Sequence, residues 1–87
     1  MNDDTDDRID EIANAIEAYL AKYPRARDTA SGVRDWWLPP ALRRSRLGDV
    51  EAALWRLVGT GRLVALHLPN GSTLFVRADG PPASDRP

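Results

Sequence analysis

No cysteine occurs in the 87-residue sequence, and histidine occurs once, at His67. The first absence excludes disulfides and thiolate metal sites and fits a reducing compartment. The second leaves no set of imidazoles from which to build a metal centre. No apolar run approaches the roughly 20 residues a membrane-spanning helix needs. The opening MNDDTDD is acidic where a secretory leader would be basic and then apolar. The expectation is one small soluble domain, cytoplasmic, with no membrane partner, no metal and no small-molecule cofactor.

Catalytic parts are equally scarce. His67 could be drawn with Ser45, Ser72 or an aspartate as a triad, but serine and aspartate are common residues and no spacing fixes such a geometry. The only phosphate-loop-like stretch, GTG at 59–61, follows a helical pattern instead of opening a helix after a strand, so it reads as a helix stop. No enzyme is expected, and no catalytic residue is assigned.

Charge is balanced overall, with 12 Lys and Arg against 13 Asp and Glu, but unevenly placed. Asp3, Asp4, Asp6, Asp7, Asp79 and Asp85 lie outside residues 8–78, where Arg86 is the one base. The central stretch therefore holds 11 basic and 7 acidic residues, a balance of +4. That is mildly basic rather than a polybasic footprint. Nearly all the bases are arginine, which suits phosphate contacts and equally suits a solvated surface.

Residues 1–5 and 79–87 are polar or proline-rich with little to bury, and composition predicts disorder for both. Residues 6–78 form the folded unit. Its first helix shows an apolar stripe at Ile9, Ile12, Ala13, Ile16, Leu20 and Tyr23. Thr5 or an aspartate can cap it, the acids that follow suit the positive end of the helix dipole, and Pro24 ends it.

RARDTASGVRDWWLPP (25–40) predicts a shorter second helix, capped by Asp28 or Thr29 and stopped by the proline pair. Neighbours on a helix point about 100° apart, so Trp36 and Trp37 cannot share one core. Ala30, Val33 and Trp37 fall together on the wheel; Trp37 is the core tryptophan and Trp36 lies on the flank. ALRRSR (41–46) leaves room for a further helical turn. GDVEAALWRLVGTG predicts a third helix, capped by Asp49, with Val50, Leu54, Leu57 and Val58 buried and Gly59 or Gly61 at its end.

RLVALHLPNGSTLFVRA (62–78) predicts a hairpin. PNG as a type I turn closed by a left-handed Gly71 sets Leu66 against Leu74 and Val64 against Val76 on one apolar face. His67, Thr73, Phe75 and Arg77 then share the other, outward face.

DVEAALWRLVGTGRLVALHLPNGSTLFVRA, read with the two helices before it, resembles the winged helix-turn-helix superfamily across nearly all of residues 6–78. The resemblance implies an α+β fold, a three-helix winged helix-turn-helix with a C-terminal β-hairpin wing. It also implies a third helix that enters the DNA major groove and a wing that touches phosphate. Under it the first expected function is a small DNA-binding protein, a transcriptional regulator or the DNA-binding piece of a larger assembly. The candidate DNA contacts are Arg43, Arg44, Arg46, Arg56, Arg62, His67 and Arg77. The exposed face of the third helix would show Asp49, Ala52 and Arg56 with Glu51 at its edge, and the two acids oppose phosphate and base-edge acceptors.

Many members of the superfamily bind proteins, and fold alone does not assign function. The alternative is a non-catalytic adaptor whose exposed tryptophans hold a protein partner. Trp36 and Trp55, enlarged by Phe75, are its candidate residues, since tryptophan and arginine dominate interface hot spots; both tryptophans equally fit the rim of a thin core. The expected partner is therefore duplex DNA or a protein, and a homodimer is compatible with either.

Overall fold

The computed structural model describes residues 3–78, so the expectations for residues 1, 2 and 79–87 lie outside the described residues. Helix α1 spans Asp3–Lys22. A two-residue strand β1 (Arg27–Asp28) leads to the short helix α2 (Ala30–Gly32), which continues as a π-helical turn over Val33–Trp37. A 3-10 turn over Pro40–Leu42 precedes α3 (Leu47–Gly59), and strands β2 (Leu63–His67) and β3 (Thr73–Arg77) follow as the last elements of the described residues. The fold is α+β: three helices beside a three-stranded antiparallel sheet of order β1–β3–β2. Among the described residues, no helix is long and apolar enough to cross a membrane.

The core is one cluster. Ile12, Ala13, Ile16 and Leu20 of α1 meet Val50, Ala53, Leu54 and Leu57 of α3, with Val33, Trp37 and Leu38 closing one side and Leu63 and Phe75 the other. The three- and four-residue spacing on α1 and α3 is what brings two apolar stripes face to face. Tyr23, the last member expected of the α1 stripe, is exposed instead. It lies past the helix end, and Tyr19, one turn earlier, takes the packing role: its ring stacks on Trp37 with centroids 5.0 Å apart and planes 10° apart. Thr5 lies inside α1, which begins at Asp3, so it does not cap that helix.

The cap of α2 is Thr29, whose Oγ1 accepts a hydrogen bond from the Gly32 N–H at 3.3 Å. The Asp28 carboxylate accepts from the Thr29 N–H at 2.8 Å and fixes the turn. The Leu38 N–H then donates to the Val33 carbonyl, five residues back, at 3.2 Å. This wider turn ends where it must, because Leu38 precedes proline and takes extended geometry (φ −86°, ψ 147°). It leaves Trp37 buried, at 5% exposure, and Trp36 in solvent, at 72%. The helical phase read from RDWWLPP holds.

Helix α3 starts earlier than GDVEAAL suggests. Arg46 occupies the cap position without a side-chain cap bond, and Asp49 sits in the first turn. Its charge favours the helix dipole there, but it is not the cap.

The hairpin register is as the turn residues predict, with Val64 paired to Val76 and Leu66 to Leu74. Gly71 has φ +93°, in the left-handed region, and the Leu68 N–H donates to the Ser72 carbonyl at 2.8 Å. The faces are the reverse of the expectation. Phe75, expected on the outer face, is 2% exposed and joins Leu63 in the core, whereas Val64 and Leu66 are 42% and 39% exposed. Leu63 and Phe75 join the helical core cluster, while their polar face-mates lie at the two ends of the hairpin, Thr73 and His67 toward the turn and the exposed Arg77 at the far end. Phe75 also packs beside Trp55, whose ring meets it edge-on at 5.2 Å.

Candidate functional site

The side chains of α3 that escape the core divide into two faces. Asp49 and Arg56, expected on a DNA-reading surface, turn toward α1: Asp49 lines a cleft with Thr5 and Arg8, and Arg56 pairs with Asp10. The other face, Leu47, Glu51 and Trp55, repeats every four residues and looks toward the hairpin turn. With Thr29 and Ser31 at the start of α2 and Gly71, Ser72 and Thr73 at the turn, it bounds an open groove.

Three features set the chemistry of this groove. Trp55 is 46% exposed and its ring meets the buried Phe75 edge-on, so an apolar surface is presented beside the hairpin. Glu51 is the one ionisable side chain of the lining, and it makes no ion pair among the described residues. Hydroxyls of Thr29, Ser31, Ser72 and Thr73 surround the two as neutral donors and acceptors. The groove can take an apolar or cationic group over the indole face and is ill suited to phosphate.

The seven cationic candidates do not gather on one face. Arg43 Nε donates to the Leu38 carbonyl at 3.0 Å, holding the turn after Trp37. Arg44 and Arg46 share a cleft with Arg8, Thr5 and Asp49. Arg56 is matched by Asp10, and Arg62 by Glu17 at 3.2 Å, with Arg77 beside the latter pair. Nδ1 of His67 lies 3.1 Å from Thr73 Oγ1. Both carboxylates that engage arginines of the candidate set belong to α1, which no local pattern around α3 or the hairpin could reveal.

The aromatic candidates also separate. Trp55 and Phe75 touch, but Phe75 serves as a floor rather than a contact surface. Trp36 lines a different, shallow cleft with Ala15, Ala18 and Tyr19 of α1 and Pro39. Leu47, Thr29, Ser31, Ser72 and Thr73 are not among the candidate binding residues of the sequence. The Leu47–Glu51–Trp55 spacing carried the signal for the α3 side; the apposition of the hairpin turn with α2 is tertiary.

No family model matches the chain, and comparison with curated proteins and with solved structures finds none that is similar to it.

Proposed function

We propose that this chain is a non-catalytic protein-interaction module on a winged-helix scaffold, holding a partner segment in the groove between α3, α2 and the hairpin turn. The observation that carries this reading is the pairing of a half-exposed Trp55, packed edge-on against Phe75, with a Glu51 that makes no ion pair among the described residues and is the only charge of the groove. Where a winged helix that reads DNA would present cations beside its wing, this one presents an indole and a carboxylate. A tryptophan is a frequent interface anchor, and a carboxylate beside it selects a basic side chain. The element order, three helices and then a hairpin packed back on them, supports the winged-helix assignment.

Duplex DNA is the second reading, favoured by the Arg8, Arg44 and Arg46 group around one cleft. One experiment separates the two. A photo-crosslinking residue placed at position 47, on the rim of the same groove, in cells that make the protein, should give a discrete protein adduct that Glu51→Lys or Trp55→Ala abolishes. Binding to pooled duplex fragments should be weak and indifferent to sequence. Sequence-specific duplex enrichment that survives Trp55→Ala would refute the adaptor. Under the DNA reading, Arg44→Ala with Arg46→Ala should make the log–log salt slope shallower by about 0.9 for each phosphate that is no longer neutralised.

A further inference from the structure

The two edges of the sheet are built differently. Strand β1, at one edge, is two residues long and both are charged, Arg27 and Asp28. Short charged strands are a usual guard against edge-to-edge pairing. Strand β2, at the other edge, runs Leu-Val-Ala-Leu-His with no proline and no Lys, Arg, Asp or Glu.

The hydrogen-bond phase shows which groups that edge offers. The Leu68 N–H donates to Ser72 and the Ala78 N–H to Arg62, so by antiparallel alternation Val64 and Leu66 are the residues bonded to β3. The N–H and C=O of Leu63, Ala65 and His67 therefore point away from β3, and among the described residues none makes a hydrogen bond outside the ladder. Beside this edge lies the outer face of the hairpin, with Val64 and Leu66 exposed and Leu74 and Val76 half-buried. An apolar face thus runs up to an unguarded, hydrogen-bonding edge.

DGPPASDRP (79–87) has no large apolar side chain to cover the face, and its prolines lack the N–H a strand needs. We infer that the occupant is a second copy of this chain, with two β2 strands pairing antiparallel about a two-fold axis at Ala65. Full overlap of the strands places Leu63 opposite His67 of the other copy, Ala65 opposite Ala65, and Val64 opposite Leu66. The outward N–H and C=O groups at odd positions then meet their equivalents. Val64 and Leu66 of each copy fall on one face and join the two apolar surfaces. Arg62, the nearest charge, comes opposite Leu68, so like charges do not meet across the axis. A two-fold axis satisfies all of these conditions with one surface, as an isologous interface requires. The groove holding Trp55 opens on the Phe75 face of the hairpin, opposite to Val64 and Leu66, so this pairing is independent of what the groove binds.

Sedimentation of the purified full chain from low micromolar to near-millimolar concentration tests the inference, with amide hydrogen exchange measured across the same range. A monomer–dimer equilibrium is expected in which the amides of Leu63, Ala65 and His67 gain protection as concentration rises. Those of Val64 and Leu66 should be protected throughout. Leu66→Lys, on an exposed position where the fold can be verified by its thermal melt, should weaken the dimer by roughly ten-fold or more. Trp55→Ala should leave it unchanged. A wild-type chain monomeric at every concentration would overturn the inference, as would a dimer whose odd-numbered β2 amides exchange freely. So would a folded Leu66→Lys variant that dimerises as the wild type does, or a strand of another protein seated on β2 while the isolated chain stays monomeric.

Discussion

Replacing Trp37 by alanine should bring the domain to the edge of unfolding, whereas the same change at Trp36 should hardly be felt. Trp37 is buried, stacked on Tyr19, and closes one side of the core formed by α1 and α3. Deleting a buried aromatic of this size costs about 3–5 kcal/mol, of which an aromatic pair supplies roughly 0.5–1.5 kcal/mol. A domain of this length has in total about 4–11 kcal/mol to lose, at ~0.05–0.15 kcal/mol per residue. Trp37→Ala therefore removes between about a quarter and all of the stability. Trp37→Phe keeps a ring against Tyr19 and should fall between alanine and wild type, which preserves a measurable transition if the alanine variant does not fold. Trp36 stands mostly in solvent, so Trp36→Ala should stay within about 0.5 kcal/mol, or less than about 4 °C in Tm. Urea titrations followed by far-ultraviolet circular dichroism give all three values at micromolar protein. A lower midpoint for Trp36→Ala than for Trp37→Phe would refute the packing described for Val33–Trp37.

The reversed faces of the hairpin make a matching pair: Phe75→Ala should cost about 3–5 kcal/mol and release the Trp55 ring, seen as a red shift in fluorescence, while Leu66→Ala should cost under about 1 kcal/mol. A Cβ on Gly32 would displace the Asp28 carboxylate from its bond with the Thr29 N–H, so Gly32→Ala should destabilise by about 1 kcal/mol. In an Asp28→Ala background the same change should be milder, and a double-mutant cycle with no coupling would disprove the clash. Ser45 is buried and its Oγ has no hydrogen-bond partner among the described residues, so Ser45→Ala should be neutral or stabilising by up to about 1 kcal/mol in a thermal melt.

What the sequence made legible follows from how local each determinant is. The α1 stripe as far as Leu20, the Trp36–Trp37 phase and a cap at Asp28 or Thr29 depend on residues a few positions apart, and each can be read from spacing alone. The hairpin register is equally local, because PNG with a left-handed Gly71 admits one closure. Strand β1 could not be read: Arg27 and Asp28 have no strand propensity and become a strand only by pairing with Val76 and Phe75. The site suffered most. Leu47, Glu51 and Trp55 share a helical face by spacing, but which face of α3 looks at the hairpin depends on α1, whose carboxylates at Asp10 and Glu17 claim Arg56 and Arg62.

One misreading carries information of its own. A sheet with one face on a core and one in water normally alternates apolar with polar, and that alternation reveals its buried side. Here the alternation points the wrong way: the solvent side of the hairpin holds Val64, Leu66, Leu74 and Val76, while the core side holds Leu63, Ala65 and Phe75 diluted by Thr73, His67 and Arg77. The helices of one chain cover only the second set. A polar outer face would have been the simple solution for a solitary monomer, and hydroxyl or charged residues at positions 64 and 66 would also have guarded the β2 edge. Their absence is accounted for when the outer face and the edge are covered together by a second β2. The pattern that hides the buried face from the sequence is then the pattern expected of a hairpin that buries both sides, one within the chain and one between copies.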